Sequence, residues 1–141
     1  MIAYSRLGNS GTGWIVGGGL VSLLAGVPLR GVALAALVFG TLCVNYVVKR
    51  LVHRERPVFA DVPPLIEPPQ SLSFPSSHAA MAAAAATGFS AYAPSYWLGF
   101  ATLAVLMAAS RVYLAVHHGS DVVAGLALGL VTGGVFAVLV H

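Results

Sequence analysis

Ser110-Arg111-Val112-Tyr113-Leu114-Ala115-Val116-His117-His118-Gly119-Ser120-Asp121 lies between two long apolar runs, Tyr96 to about Val116 and Ser120 to Val140. A guanidinium, an imidazole and a carboxylate at such a break mark the end of one membrane helix and the start of the next. Titratable groups next to lipid are costly and are usually kept for a task. The spacing makes His117 a candidate nucleophile, Asp121 the carboxylate that orients it, and Arg111 the cation that binds the anion under attack. A carboxylate in hydrogen-bond reach of one ring nitrogen fixes the tautomer and leaves the other free to attack. His118 has no comparable partner in the sequence and reads as a bystander.

Working outward, the composition fits a bilayer. Of 141 residues, 58% are hydrophobic and 8% charged, with a mean hydropathy of +0.89. A soluble domain carries about 25% charged residues, so this chain lacks the polar surface to face water. The length suits one domain, residues 1–141. The single cysteine, Cys43, sits in an apolar run and reads as a small hydrophobe. Arg6 ahead of the apolar stretch Trp14–Ala25 resembles a signal peptide. However, Leu24-Ala25-Gly26-Val27-Pro28 is a poor cleavage site, so a retained first helix is expected.

The expected fold class is all-α: an integral membrane bundle of about five spans, roughly 13–29, 31–52, 76–93, 95–116 and 120–140, behind a short interfacial segment. Trp14 suits a headgroup-level anchor, and Pro28-Leu29-Arg30 reads as a tight turn. The first apolar run reaches only ~22 Å against a ~30 Å hydrocarbon core. Between spans two and three, residues 53–75 hold six of the eight prolines and three of the four acidic residues. That is an irregular polar loop of the length that usually serves a function. Gly125, Gly129 and Gly133 recur every fourth residue and line one face of the last helix. An internal packing seam is the preferred reading and a homo-oligomer contact the second.

Five spans bring Lys49, Arg56, Ser76, His78, Arg111, His117 and Asp121 to a single membrane face. Lys49 and Arg56 lie seven residues apart, nearly two helical turns, although Arg50 and Arg54 beside them read as a positive flank. Pro75-Ser76-Ser77-His78 opens a helix. There Ser76 or Ser77 can act as N-cap, the first-turn amides suit an anion, and His78 can give a proton to a leaving group. Three fixed cations, helix-start amides, a histidine with its carboxylate and a second histidine together match a phosphate group. No cofactor and no metal are expected, because no paired-carboxylate site is evident and Lys49, Arg56 and Arg111 carry the charge. Nucleic acid is not an expected partner; a lipid phosphate and the bilayer are.

The pattern resembles the type 2 phosphatidic acid phosphatase family, which shares its site with the vanadium haloperoxidases. The family motifs K-x-x-x-x-x-x-R-P, P-S-G-H and S-R-x-x-x-x-x-H-x-x-x-D read here Lys49…Arg56-Pro57, Pro75-Ser76-Ser77-His78 and Ser110-Arg111…His117…Asp121. The resemblance implies a phosphohistidine at His117, with His78 protonating the leaving alcohol and then activating water. It also implies that Lys49, Arg56, Arg111, Ser76 and the Ser77 amide hold the phosphoryl oxygens. Ser77 departs from the family glycine, and five spans depart from the family's usual six.

Expected substrates are lipid phosphates: decaprenylphosphoryl phosphoribose, undecaprenyl diphosphate, phosphatidic acid, phosphatidylglycerol phosphate or lipid A. The Tyr4–Asn9 opening looks like that of small bacterial members, which places the protein in a bacterial cytoplasmic membrane. Arg6, Lys49, Arg50, Arg54, Arg56 and Arg111 lie on the site face, against Arg30 opposite. Three of those six are assigned to phosphate, so the positive-inside rule leaves the side of the membrane open. Competing classes are a lipid phosphotransferase using the same intermediate, a haloperoxidase around vanadate, and a non-catalytic transporter or scaffold.

Overall fold

The computed structural model describes residues 11–57, 66 and 71–140. The interfacial opening with Tyr4–Asn9 and Arg6, and the acidic Asp61 and Glu67, lie outside the described residues. Among the described residues five α-helices follow in order: α1 Thr12–Leu24, α2 Pro28–Val52, α3 Ser77–Tyr92, α4 Trp97–Tyr113 and α5 Gly119–Val140, with a 3-10 turn Pro94–Tyr96 ahead of α4. No strand occurs among the described residues, and the fold is the expected all-α membrane bundle. By length and apolarity α2, the Pro94–Tyr113 segment and α5 can each cross a bilayer; α1 is apolar but shorter, at 13 residues.

α3 is the axis of the bundle and packs against each of the other four helices. Every residue from Ala79 to Ala86 is buried. The alanines cause this, because methyl side chains let four helices approach one. A helix enclosed by protein needs no apolar outer face, so α3 serves the bundle at 16 residues. The glycine face of α5 lies on it. A Cβ at Gly125 would stand 2.5 Å from the Ser76 carbonyl oxygen, and one at Gly129 would overlap the Ala80 carbonyl. The seam is therefore internal; α3 of the same chain already fills the face that a homo-oligomer would have used.

Other expectations are corrected. Pro28 opens α2 as its first residue, where a missing N–H costs nothing, so Pro28-Leu29-Arg30 is helix rather than turn. Trp14 is partly buried and packs against the clusters around Met81, Ala82, Ala85 and Met107. α4 ends at Tyr113, short of Val116. Ala115 then takes a left-handed φ of 56°, uncommon for a residue with a Cβ, in the turn that delivers His117 to the interior. At the far end of the bundle Arg30 lies over the Tyr92 ring, which meets Phe136 edge-on.

Candidate active site

The site forms where the end of α2, the start of α3, the α4–α5 turn and the start of α5 converge. Lys49, in the last turn of α2, is buried and donates to the carbonyls of Leu72 and Ser73. The segment after α2 folds back under the same control: Ser73 N–H donates to the Arg54 carbonyl at 2.7 Å.

Arg56 follows Lys49 and reaches across to the α4–α5 turn. Its Nη1 donates to the Val116 carbonyl at 2.7 Å and lies 3.2 Å from His117 Nε2, while Nε donates to the Ser71 carbonyl at 2.8 Å. A guanidinium can only donate. Nε2 is therefore the lone-pair nitrogen, and the ring proton sits on Nδ1, facing Asp121. His117 is 3% exposed. Burial, then the charges of Arg56 and Lys49, push its pKa well below the ordinary 6.5, with Asp121 pulling the other way. The imidazole is held neutral.

Asp121, fully buried in the first turn of α5, is the hub. Its Oδ1 takes Arg54 Nη1 at 3.0 Å, and its Oδ2 accepts from the Ser73 hydroxyl and from the His118 N–H at 2.9 Å. His117 Nδ1 stands 3.5 Å from Oδ2, slightly beyond His118 Nδ1 at 3.3 Å. At 3.5 Å the His117 contact is longer than a formed N–H···O bond, and His117 Nδ1 has no hydrogen-bond partner in the structure. Unliganded sites often show such loose pairs. His118 is no bystander, then, but a second claimant on the carboxylate.

Ser76 takes the N-cap position of α3 without a side-chain cap bond. Its N–H donates to the Asp121 carbonyl at 2.9 Å, tying the start of α3 to the start of α5. Ser77 donates its hydroxyl to Asn45 Oδ1 at 2.7 Å. His78, one position on, is buried within electrostatic reach of Arg111, Arg56 and Lys49. Arg111 is the largest fully buried side chain of the described residues. Its Nε donates to Ser110 Oγ at 3.2 Å, while Nη2, like Ser76 Oγ, is buried without a partner. A buried unpaired guanidinium nitrogen near a second cation, Arg56, is able to donate to an anion.

Each residue singled out in the sequence thus belongs to one cluster. Sequence reasoning missed Asn45, Ser73, the Arg54 pairing and the second claim of His118. Asn45 left a signal, a polar amide one turn before Lys49 in an apolar helix; the others depend on how the loop folds back. Taking Arg54 into the site also removes it from the sidedness tally, leaving Arg50 and Arg6 against Arg30. Among the described residues, no three His, Cys, Asp or Glu side chains group as a metal-ligand set.

Nearer mid-bundle, α3, α4 and α5 leave an apolar cavity of about 450 Å³ lined by Ala83, Ala86, Thr87, Trp97, Ala104 and Leu130, among others. Thr87 and Ser90 give their hydroxyls to the Ala83 and Ala86 carbonyls, so the lining asks for no polar partner.

A family model described as the PAP2 superfamily matches residues 30–141. The chain is 32% identical over 143 residues to decaprenylphosphoryl-5-phosphoribose phosphatase of Mycobacterium tuberculosis (strain ATCC 25618 / H37Rv), covering 93% of this chain and 73% of that protein. It is 41% identical over 110 residues to phosphatidylglycerophosphatase B of Bacillus subtilis (strain 168), covering 69% and 52%. The crystal structure of a transmembrane PAP2 type phosphatidylglycerolphosphate phosphatase from Bacillus subtilis superposes with a TM-score of 0.66 at 26% identity, covering 97% of this chain and 82% of that one.

Proposed function

Since the chain belongs to the PAP2 superfamily, we propose that it removes phosphate from a membrane lipid through a phosphohistidine formed on His117. The observation that carries this reading is His117 itself: a buried neutral imidazole whose Nε2 lone pair faces Arg56 and whose Nδ1 faces Asp121.

In the first step the Nε2 lone pair attacks phosphorus and the bond to the lipid alcohol breaks. The departing alkoxide takes a proton from His78, which holds that proton once the negative charge of the bound phosphate offsets Arg111, Arg56 and Lys49. Arg56 transfers its Nη1 donation from Nε2 to a phosphoryl oxygen, which frees the lone pair at the moment the anion arrives. Lys49, Arg111, Ser76 and the Ser77 amide surround the remaining oxygens. Positioned charge is the main resource for phosphoryl transfer. Asp121 closes the 3.5 Å gap as Nδ1–H acquires positive charge. In the second step His78 takes a proton from water, the water oxygen attacks phosphorus and the P–N bond breaks, releasing phosphate and restoring His117.

The substrate reading is a phosphate carried at headgroup level by a lipid whose hydrocarbon tail uses the apolar cavity. That cavity begins near Leu126, five residues or ~7.5 Å beyond Asp121 along α5. The named relatives act on a decaprenyl-linked sugar phosphate and on a glycerophospholipid phosphate, and a phosphate on a lipid is what those have in common. A bacterial cytoplasmic membrane is the proposed location, in keeping with the bacterial sources of these relatives. The test is phosphate release in detergent from a panel of both lipid types with EDTA present. Release is expected from at least one, and His117→Ala should abolish it. No release from any, or release that requires added divalent metal, would overturn the reading.

A further inference from the structure

Ser77 stands where the motif of the family has glycine, at the first residue of the helix whose amides face the phosphate. A serine there carries a specific hazard. Its hydroxyl can bond neighbouring backbone N–H groups, and the first-turn N–H groups of α3 are the ones the anion needs.

Asn45 deals with that hydroxyl. It is fully buried on α2, four residues before Lys49 and on the same face. Its Nδ2 donates to the Pro75 carbonyl at 3.3 Å, and its Oδ1 accepts from Ser77 Oγ at 2.7 Å. The Pro75 carbonyl can only accept, which fixes the amide orientation and makes the Ser77 hydroxyl the donor. One side chain thus pins both ends of the Pro75–Ser77 turn against α2. The Ser77 hydroxyl is drawn toward α2, one helical turn away from Lys49 and deeper in the bundle.

We propose that Asn45 is a positioning residue for the anion-binding turn: by holding the Ser77 hydroxyl it keeps the first-turn amides of α3 open to the phosphate, so that serine can stand in the glycine position. This rests on the phosphatase reading given above. The pairing also explains why a polar amide is kept at full burial in a membrane helix, where it would otherwise be costly.

The test is a double-mutant cycle on the full chain in detergent, read as KM for a lipid phosphate and Ki for inorganic phosphate. Asn45→Ala in the native background should raise both by about tenfold, the scale of a lost charge-assisted hydrogen bond, with kcat affected less. In a Ser77→Gly background, where no hydroxyl competes, the same Asn45→Ala change should cost about threefold or less. Asn45→Leu, of similar volume, repeats the comparison where alanine destabilises the buried site. Equal losses in both backgrounds would overturn the proposal and leave Asn45 acting through Pro75 or through packing alone. A wild-type protein that releases no phosphate from any lipid would instead overturn the phosphatase reading on which the proposal rests.

Discussion

Arg54 Nη1 sits 3.0 Å from Asp121 Oδ1, an ion pair between the loop after α2 and the first turn of α5. The same nitrogen donates to Ser120 Oγ at 2.7 Å. Arg54 therefore holds one carboxylate oxygen of Asp121 while Ser73, His118 and His117 compete for the other. Because Asp121 is the group expected to steady the His117 imidazolium, Arg54 is placed to fix its aim.

Replacing Arg54 by glutamine should then lower kcat by about tenfold while KM stays within about threefold, since transition-state geometry is lost rather than ground-state binding. Arg54→Lys should fall between, because lysine keeps the charge and loses the planar fork. The arginine side chain is 37% exposed but Asp121 is fully buried, so Arg54→Gln should also lower stability by leaving that carboxylate without its cation. Steady-state kinetics on both variants, with thermal unfolding alongside, checks this; a rise in KM with kcat intact would assign Arg54 to phosphate instead.

The depressed pKa of His117 has a definite sign. In the unfolded chain its imidazole titrates near 6.5, whereas in the fold it resists protonation. At pH 5 the unfolded state binds a proton that the folded state does not, so this group makes stability fall as pH drops below 6.5. The nucleophile itself stays neutral and available at pH 5. Nitrogen-15 imidazole shifts in detergent should show His117 neutral at that pH, and Arg56→Gln should move its titration upward by removing the second-largest cause of the shift. A His117 already protonated at pH 6 would contradict the electrostatic picture.

The apolar cavity makes a separate prediction about chain length. Filling it with Ala101→Phe, which projects a ring from α4 into the lining, should raise KM about three- to tenfold for a long-chain lipid phosphate, the scale of a few lost methylene contacts. A short-chain phosphate ester that cannot reach the cavity should show no such change. Equal effects on both substrates would remove the tail from this groove.

Much of the site was legible because polar residues in an apolar chain stand out. Lys49, Arg111, His117 and Asp121 interrupt hydrophobic runs, and the alternating direction of successive spans brings them to one face. The glycines of α5 were legible as a close-packing seam for the same reason. What stayed hidden depends on backbone paths between helices. Nothing in the residue order says that Ser73 returns to Arg54 and Asp121, or that Arg54 differs from the flanking Arg50. Pro28 was misread because proline both ends and begins helices, and only the chain geometry after Val27 decides which. Trp14 could be read from its type alone, and its packing beside the small residues of α3 could not, because that depends on how α1 crosses the bundle.

The central claim is covalent catalysis at His117. The most direct measurement is rapid acid-free quenching of the protein with a radiolabelled lipid phosphate, followed by mapping of the labelled residue. The expected result is label on His117 that is lost in acid and stable in base, and absent from His117→Asn. Steady phosphate release with no labelled protein, or label and release that persist in His117→Asn, would contradict it.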